Sequence, residues 1–431
     1  MPSFENMNAV TALLHDVPIP EFALVRQKFD DSRIDDVRSA FRHSISERSL
    51  AETIKPGNRI VVAVGSRQIA NLEEIVNEAV SLIKERGATP VIMPAMGSHG
   101  GATAAGQREI LASFGIDEQS MGCPMADSMD VAQIGVSENG DPVYVAKHLL
   151  DADGIVIINR VKPHPAFSGD IESGITKMSV IGLGKQKGAE YCHQRGLGGF
   201  SKRLQAMSRV IFAKLPILFG VAIVENAYDQ TAEVVCIPAD RVSVEEPELL
   251  QKARRLMPRL IPEGSDVLIV DRIGKNISGT GADPNVMCRF TSPYKSSDRK
   301  PPKRIVFLDM TEQSHGAAAG MGQADIITQR LYSQIDYEKI YINSITSTLL
   351  QNSFTPIVMP SDKLAIQAAI KTCGRVDTEN AEIVRIKNTL EIGQIMISSA
   401  LLPFAEKSSE LEVISDPFAL SFDDDGYLAD R

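Results

Sequence analysis

The sequence predicts an α/β protein of two domains, each a largely parallel or mixed sheet flanked by helices, with its site in the cleft between them. Three observations support this. From Arg59 onward, short β-branched runs alternate with helical stretches, the βαβα rhythm of a parallel sheet. The length, 431 residues, exceeds what one hydrophobic core usually serves and suggests about two or three domains. A second series of apolar runs opens at "DVLIVDRIG" (266–274), after the charged helix "SVEEPELLQKARRLMPRL" and Pro262. These place the boundary near 262, so 1–262 is read as the N-terminal domain and 263–431 as the C-terminal α/β domain.

The first strand, "RIVVAVGSR" (59–67), leads to the helix "LEEIVNEAVSLIKERG", then to the strand "TPVIMPAMGSHGG" (89–101) and the helix "AAGQREILASFG". Thr103 or an earlier residue is placed to cap that last helix. The run "GIVIIN" (154–159) is a third strand, and "RVKPHPAFSG" (160–169) is its exit. A long helix, "LGGFSKRLQAMSRVIFAK", and the strands "LFGVAIVENA" and "AEVVCIPAD" close the first series. The second series holds "KRIVFLDM", helices near 324–351 and 361–372, and a strand pair in "AEIVRIKNTLEIGQIMIS". In sheets of this kind ligands bind beyond the carboxyl ends of the strands, which directs attention to "VGSR", "MGSHGG" and "NRVKPHPAFSG".

Composition removes several classes. Hydrophobic residues make up 43% and charged residues 23%, and no apolar run approaches the roughly 18 residues of a membrane-spanning helix. The N-terminal "MPSFENMNAVTALL" lacks a basic stretch leading into an apolar one, so a cytoplasmic protein is expected, with no membrane partner. Five widely spaced cysteines without a CxxC pair argue against disulfides, an iron–sulfur cluster or structural zinc. A net charge of −10 disfavours nucleic acid as a partner. The one concentrated basic stretch, "SSDRKPPKR", is broken by prolines and reads as a surface loop.

Several familiar motifs are absent. "IGLGKQKGAE" is not a Walker A loop, and "GSHGGATAAG" does not fit the dinucleotide fingerprint. There is neither an HExxH helix nor a G-x-S-x-G elbow. The glycine-rich turn around Gly97, Ser98 and His99 still runs from strand to helix, a place where backbone amides face an anion. The segment 160–193 concentrates His164, Lys177, Lys185, Lys187 and His193 among glycines, and His99, His164 and His193 are three of only seven histidines. All three are expected in loops. Three imidazoles suit a late transition metal; alternatively two act as acid and base while one holds a metal.

His164 preceding "FSG" (167–169), then Lys177, then His193 16 positions further on, resembles the motif of the nickel-dependent lactate racemase family and its wider set of α-hydroxy-acid racemases and epimerases. The resemblance implies an isomerase carrying a covalently attached nickel-pincer nucleotide, a pyridinium mononucleotide whose two thio-carboxyl arms chelate Ni. By position, Lys177 resembles the lysine that forms the tether, His193 the nickel ligand, and His99 and His164 the catalytic pair. It further implies that 1–262 binds the cofactor, that 263–431 closes over a small α-hydroxy acid, and that cofactor-synthesis enzymes are transient partners. Ser66, Arg67, Gly97, Ser98 and Lys185 are expected to contact the cofactor. Lys275, Asn276 and Arg289, in "DRIGKNISGTGADPNVMCR", are expected on the substrate side.

Two stretches depart from lactate racemases. "GSRQIAN" stands where they carry a D-x-T-R-P pattern, and the 271–289 stretch lacks their Tyr-Gln and lysine. The expected substrate is therefore an α-hydroxy acid other than lactate, such as a sugar acid. The residues leave two other functions open: a non-catalytic carrier of the cofactor or of a nucleotide, and a simple metal-dependent lyase or hydrolase.

Overall fold

The computed structural model describes residues 7–65 and 69–429, the side chain of Thr346 excepted. They form two compact units: Asp30–Met257, and Pro258 onward together with the segment up to Phe29. Both are α/β, built on mixed sheets flanked by helices. Among the described residues no helix is long and apolar enough to cross a membrane.

The unit Asp30–Met257 is built on a five-stranded sheet of the described residues, ordered Thr89–Pro94, Arg59–Val64, Gly154–Arg160, Ile217–Glu225, Thr231–Pro238. The first four are parallel and the last is antiparallel. The central strands are buried along nearly their whole length, as both-sided coverage by helices requires. On one face Ile60, Val62, Val64, Val156 and Ile158 pack with Ile75, Val76 and Ala79 of the helix Leu72–Glu85. Three neighbouring parallel strands therefore release their chains at one edge, after Val64, after Pro94 and after Arg160. The "MGSHGG" and "RVKPHPAFSG" loops lie at that edge. Ser66 and Arg67, expected in the loop between them, fall outside the described residues. A hairpin, Val131–Val136 with Pro142–Ala146, is added beside this sheet.

The second unit holds an eight-stranded mixed sheet of the described residues. Its parallel part runs Ile357–Met359, Ile326–Thr328, Arg304–Met310, Val267–Ile273, Ile383–Ile386. Alternate residues of one strand serve opposite cores: Leu268 and Val270 on one face, Val267 and Ile269 on the other. Phe22–Gln27 belongs here too, in antiparallel register with Gln394–Ser398 and with Leu411–Val413. The partition at 262 left this segment with the N-terminal domain. Its partners lie more than three hundred residues away, and Gln27 is buried, donating to the Ile392 carbonyl and accepting from the Ile261 amide.

Inside this sheet Asp271 accepts two hydrogen bonds from Arg385, at 2.8 and 3.0 Å, with both side chains nearly inaccessible. Removing one partner strands the other charge in the core. Arg385→Met is expected to lower the stability of this unit by about 3–5 kcal/mol, the range for a broken buried pair. Urea denaturation followed by the unit's own transition measures it.

Candidate functional site

The exit of the strand Gly154–Arg160 runs to Ser173 with neither helix nor strand, so its buried amides need partners outside a ladder. Glu172, fully buried, supplies two: its carboxylate accepts from the amide of His164 at 2.7 Å and from that of Gly169 at 3.1 Å. Arg254 neutralises that carboxylate at 2.5 Å and also donates to the Gly169 carbonyl. Ser173 Oγ closes the neck of the loop on the amide and carbonyl of Lys162. Pro163 and Pro165 hold the residues before them out of helical space, so His164 sits on a stiff, closed loop.

His164 is half-buried, and its Nδ1 accepts from the Ala166 amide at 3.1 Å. A neutral imidazole that accepts at Nδ1 carries its proton on Nε2. The ring packs on Phe167 at 4.3 Å between centroids, Phe167 packs on Phe200 at 4.9 Å, and Phe200 meets the His193 ring edge-on at 4.9 Å. The Lys177 ammonium lies 5.5 Å from the centre of the Phe167 ring. His164, Lys177 and His193 thus gather around one aromatic pair.

Lys177 ends a short helix, Gly174–Lys177, which continues as a π-helical turn, Met178–Gly182. Such turns are frequent at functional sites because they re-aim side chains. The fully buried Glu246, on the helix Val242–Leu256, accepts from the amides of Ile175 and Thr176 and from the Thr176 hydroxyl. It caps the turn that carries Lys177. Gly174 has φ +82°, and a Cβ there would overlap the Glu246 carboxylate. Burial pushes the Glu246 carboxyl up to about 7, against the bonds from Thr176.

His193 lies in the last turn of the helix Lys185–Gln194, not in a loop as expected. The glycines that suggested a loop serve close packing: a Cβ on Gly184 would meet the Val180 carbonyl and the backbone of Gly188. Both ring nitrogens of His193 are buried without a hydrogen-bond partner. Burial, with the charges of Lys177 and Arg203, pushes the ring down to about 4, so it is a neutral imidazole with a lone pair to give. Burial pushes the Cys192 thiol beside it up to about 12, so that sulfur is not a thiolate. Arg203 holds the end of this helix through the carbonyls of Cys192 and Gly196, at 2.9 and 3.0 Å.

His99 is half-buried on the turn after Thr89–Pro94, and Thr103 caps the following helix, Ala104–Ala112, accepting from Gly106 at 3.1 Å. Gly97 is buried where a Cβ would meet Ala189 at 2.9 Å, while Ser98 is exposed. Lys185 does not present its ammonium at an open nucleotide site. It is fully buried, donating to the Pro94 carbonyl at 2.8 Å and to Gln107 Oε1 at 3.0 Å. Lys187 is exposed, over the ring of Tyr144. Among the described residues no three His, Cys, Asp or Glu side chains gather as metal ligands, so the three histidines do not form one metal site.

In the second unit, Lys275 and Asn276 follow the carboxyl end of Val267–Ile273. Asn276 accepts from Thr311 at 2.6 Å, beside a polar crevice of about 390 Å³ lined by Arg272, Asp309, Thr311 and Gln334. Arg289 does not join them. It pairs with Asp325 and donates to the Pro302 carbonyl, at the amino ends of the strands Ile326–Thr328 and Arg304–Met310. A seven-residue strand, about 20 Å long, separates the two ends.

Sequence reasoning missed Glu172, Glu246, Arg254 and Gln107. One signal was present: Val242, Glu246 and Leu250 recur every four residues, which sets Glu246 on the apolar face of its helix. Residues 19–200 match the lactate racemase N-terminal domain. The lactate racemase apoprotein from Thermoanaerobacterium thermosaccharolyticum shares the fold at 13% identity, with a TM-score of 0.53 over 85% of this chain and 99% of that one. No curated protein matches the chain.

The neutral state of His193 has a consequence for acid stability. Between pH about 6.5 and 4 an unfolded histidine binds a proton that the folded ring refuses, so the unfolded state gains protons and stability falls as pH drops. His148, buried and likewise pushed down to about 4, acts in the same direction. Each contributes at most about 3 kcal/mol over that window. His193→Leu is expected to shift the acid-unfolding midpoint to lower pH, read by circular dichroism against pH.

Proposed function

We propose that the chain is a racemase or epimerase of an α-hydroxy acid, working with a nickel-pincer nucleotide tethered to Lys177. The observation that carries this reading is His193, a buried neutral imidazole with both nitrogens unbonded, gathered with Lys177 around Phe167 and Phe200. A metal that arrives with sulfur and carbon donors on its own ligand needs only one protein nitrogen, and imidazole suits nickel. When bound, that group supplies a nickel centre and a hydride acceptor.

The remaining chemistry belongs to this chain's residues. His99 and His164 form the acid–base pair, taking the hydroxyl proton and returning it to the oxygen. An imidazole serves that role near neutral pH. Having two of them, on loops from the two strands that flank Arg59–Val64, lets either enantiomer find a base. The Ala166 amide holds the His164 ring in place through Nδ1. Glu172 and Arg254 hold its loop, and Glu246 holds the turn of Lys177. Gly97 and Ser98, with Ser66 and Arg67, are proposed to contact the nucleotide. Lys275 and Asn276 are proposed to bind polar groups of the substrate.

Protein coexpressed with cofactor-synthesis enzymes is expected to hold about one nickel per chain, measured by metal analysis, and a mass adduct on the Lys177 peptide. A panel of lactate and sugar acids, followed by chiral chromatography, is expected to show epimerisation. His99→Ala and His164→Ala should each lower kcat/KM by about 10²–10⁴-fold, the usual worth of an acid–base group. Nickel-free protein with Lys177 unmodified would overturn the cofactor reading. A loaded protein that turns over no acid of the panel is a carrier.

A further inference from the structure

Lys185 is an unusual place for a lysine. It opens the helix that carries His193 in its last turn, its backbone is left-handed at φ +53°, and its side chain has no exposure to solvent. Its ammonium is bonded to a carbonyl and an amide rather than to a carboxylate. An apolar side chain of similar length would fill the same space without the cost of burying a charge. What the charge does is visible in its partners.

The Pro94 carbonyl, one partner, ends the strand that leads to His99. The other partner, Gln107, is also fully buried, and its Nε2 turns back to the carbonyls of Met96 and Gly97, both at 3.1 Å, and of His99 at 3.4 Å. The two side chains together take the last carbonyl of the strand and three carbonyls of the loop beyond it, which belongs to no ladder. Burial pushes the Lys185 ammonium down to about 8, so at neutral pH it still donates as a cation, and its bonds are the stronger charge-assisted kind. Gln107, with its Oε1 held by Lys185, has its Nε2 aimed at the loop without ambiguity.

We propose that Lys185 and Gln107 are positioning residues for His99: they fix the loop that carries it to the amino end of the helix that carries His193. The proposal rests on the reading of His99 as an acid–base group. It assigns Lys185 no contact with a nucleotide phosphate.

Hydrogen–deuterium exchange of the full chain without cofactor tests the clasp directly. Two variants are compared with the parent: Lys185→Met, and Gln107→Glu, which keeps an acceptor for Lys185 while removing the donor to Met96, Gly97 and His99. Peptides over 95–103 are expected to exchange about ten-fold faster in both, with the strand Gly154–Arg160 and the loop 164–173 unchanged. In loaded protein, nickel content should match the parent, and kcat should fall about ten-fold with KM within about two-fold. Lys185→Met placed on His99→Ala should cost nothing more, because a residue acting through His99 has nothing left to position. Unchanged exchange at 95–103, or faster exchange spread evenly over the unit, overturns the proposal. Loss of nickel at unchanged exchange also overturns it and makes Lys185 a cofactor ligand. If no acid is turned over, the exchange arm still decides the clasp, and it is the functional reading that has failed.

Discussion

The helix Val242–Leu256 meets the irregular segment 161–177 with the buried Glu246 and the half-buried Arg254, and the candidate site depends on them. Glu246 takes the amides that begin the Lys177 turn; Arg254, two turns on, takes the Gly169 carbonyl and the Glu172 carboxylate. The segment has no strand to pair with and forms no helix before Gly174. Without these groups its buried amides would go unsatisfied, at about 1–3 kcal/mol each. Carboxylates do here what a ladder does elsewhere, and they leave the loop in a shape that no regular element adopts. That shape brings Phe167 onto Phe200 and His164 onto Phe167.

The aromatic pair sets the electrostatics of what surrounds it. It lowers the local dielectric, and the His193 imidazole stays neutral beside Lys177 and Arg203. The same surroundings keep the Cys192 thiol protonated, so nitrogen rather than sulfur is the donor on offer. The Lys177 ammonium meets the face of a ring, where a cation is still favoured.

Much of the fold was legible in the sequence, for local reasons. The apolar runs at 59–64, 89–94, 154–159 and 267–273 are strands because both faces of a parallel sheet are buried, which removes the polar alternation. Thr103 caps its helix as its chemistry suggests. His164, Lys177 and His193 were legible as a group because their order and spacing are local facts. The membership of Phe22–Gln27 was not, since register with Gln394–Ser398 is decided by pairing across the length of the chain. The helix of His193 was hidden because glycine usually marks a turn, whereas Gly184 and Gly188 here allow two backbone segments to touch.

The sequence by itself determined the central strands of both sheets, the order and spacing of His164, Lys177 and His193, and that prolines flank His164, because propensity and spacing are properties of neighbours along the chain. Only the tertiary structure decided that Glu246 and Arg254, on the charged helix before the sequence boundary at 262, brace the Lys177 turn and the His164 loop. Only it showed Lys185 spending its ammonium on the backbone behind His99, and Arg289 at the far end of the sheet from Lys275. The partner of a buried polar group is chosen by proximity in space, and a one-dimensional pattern carries no record of it.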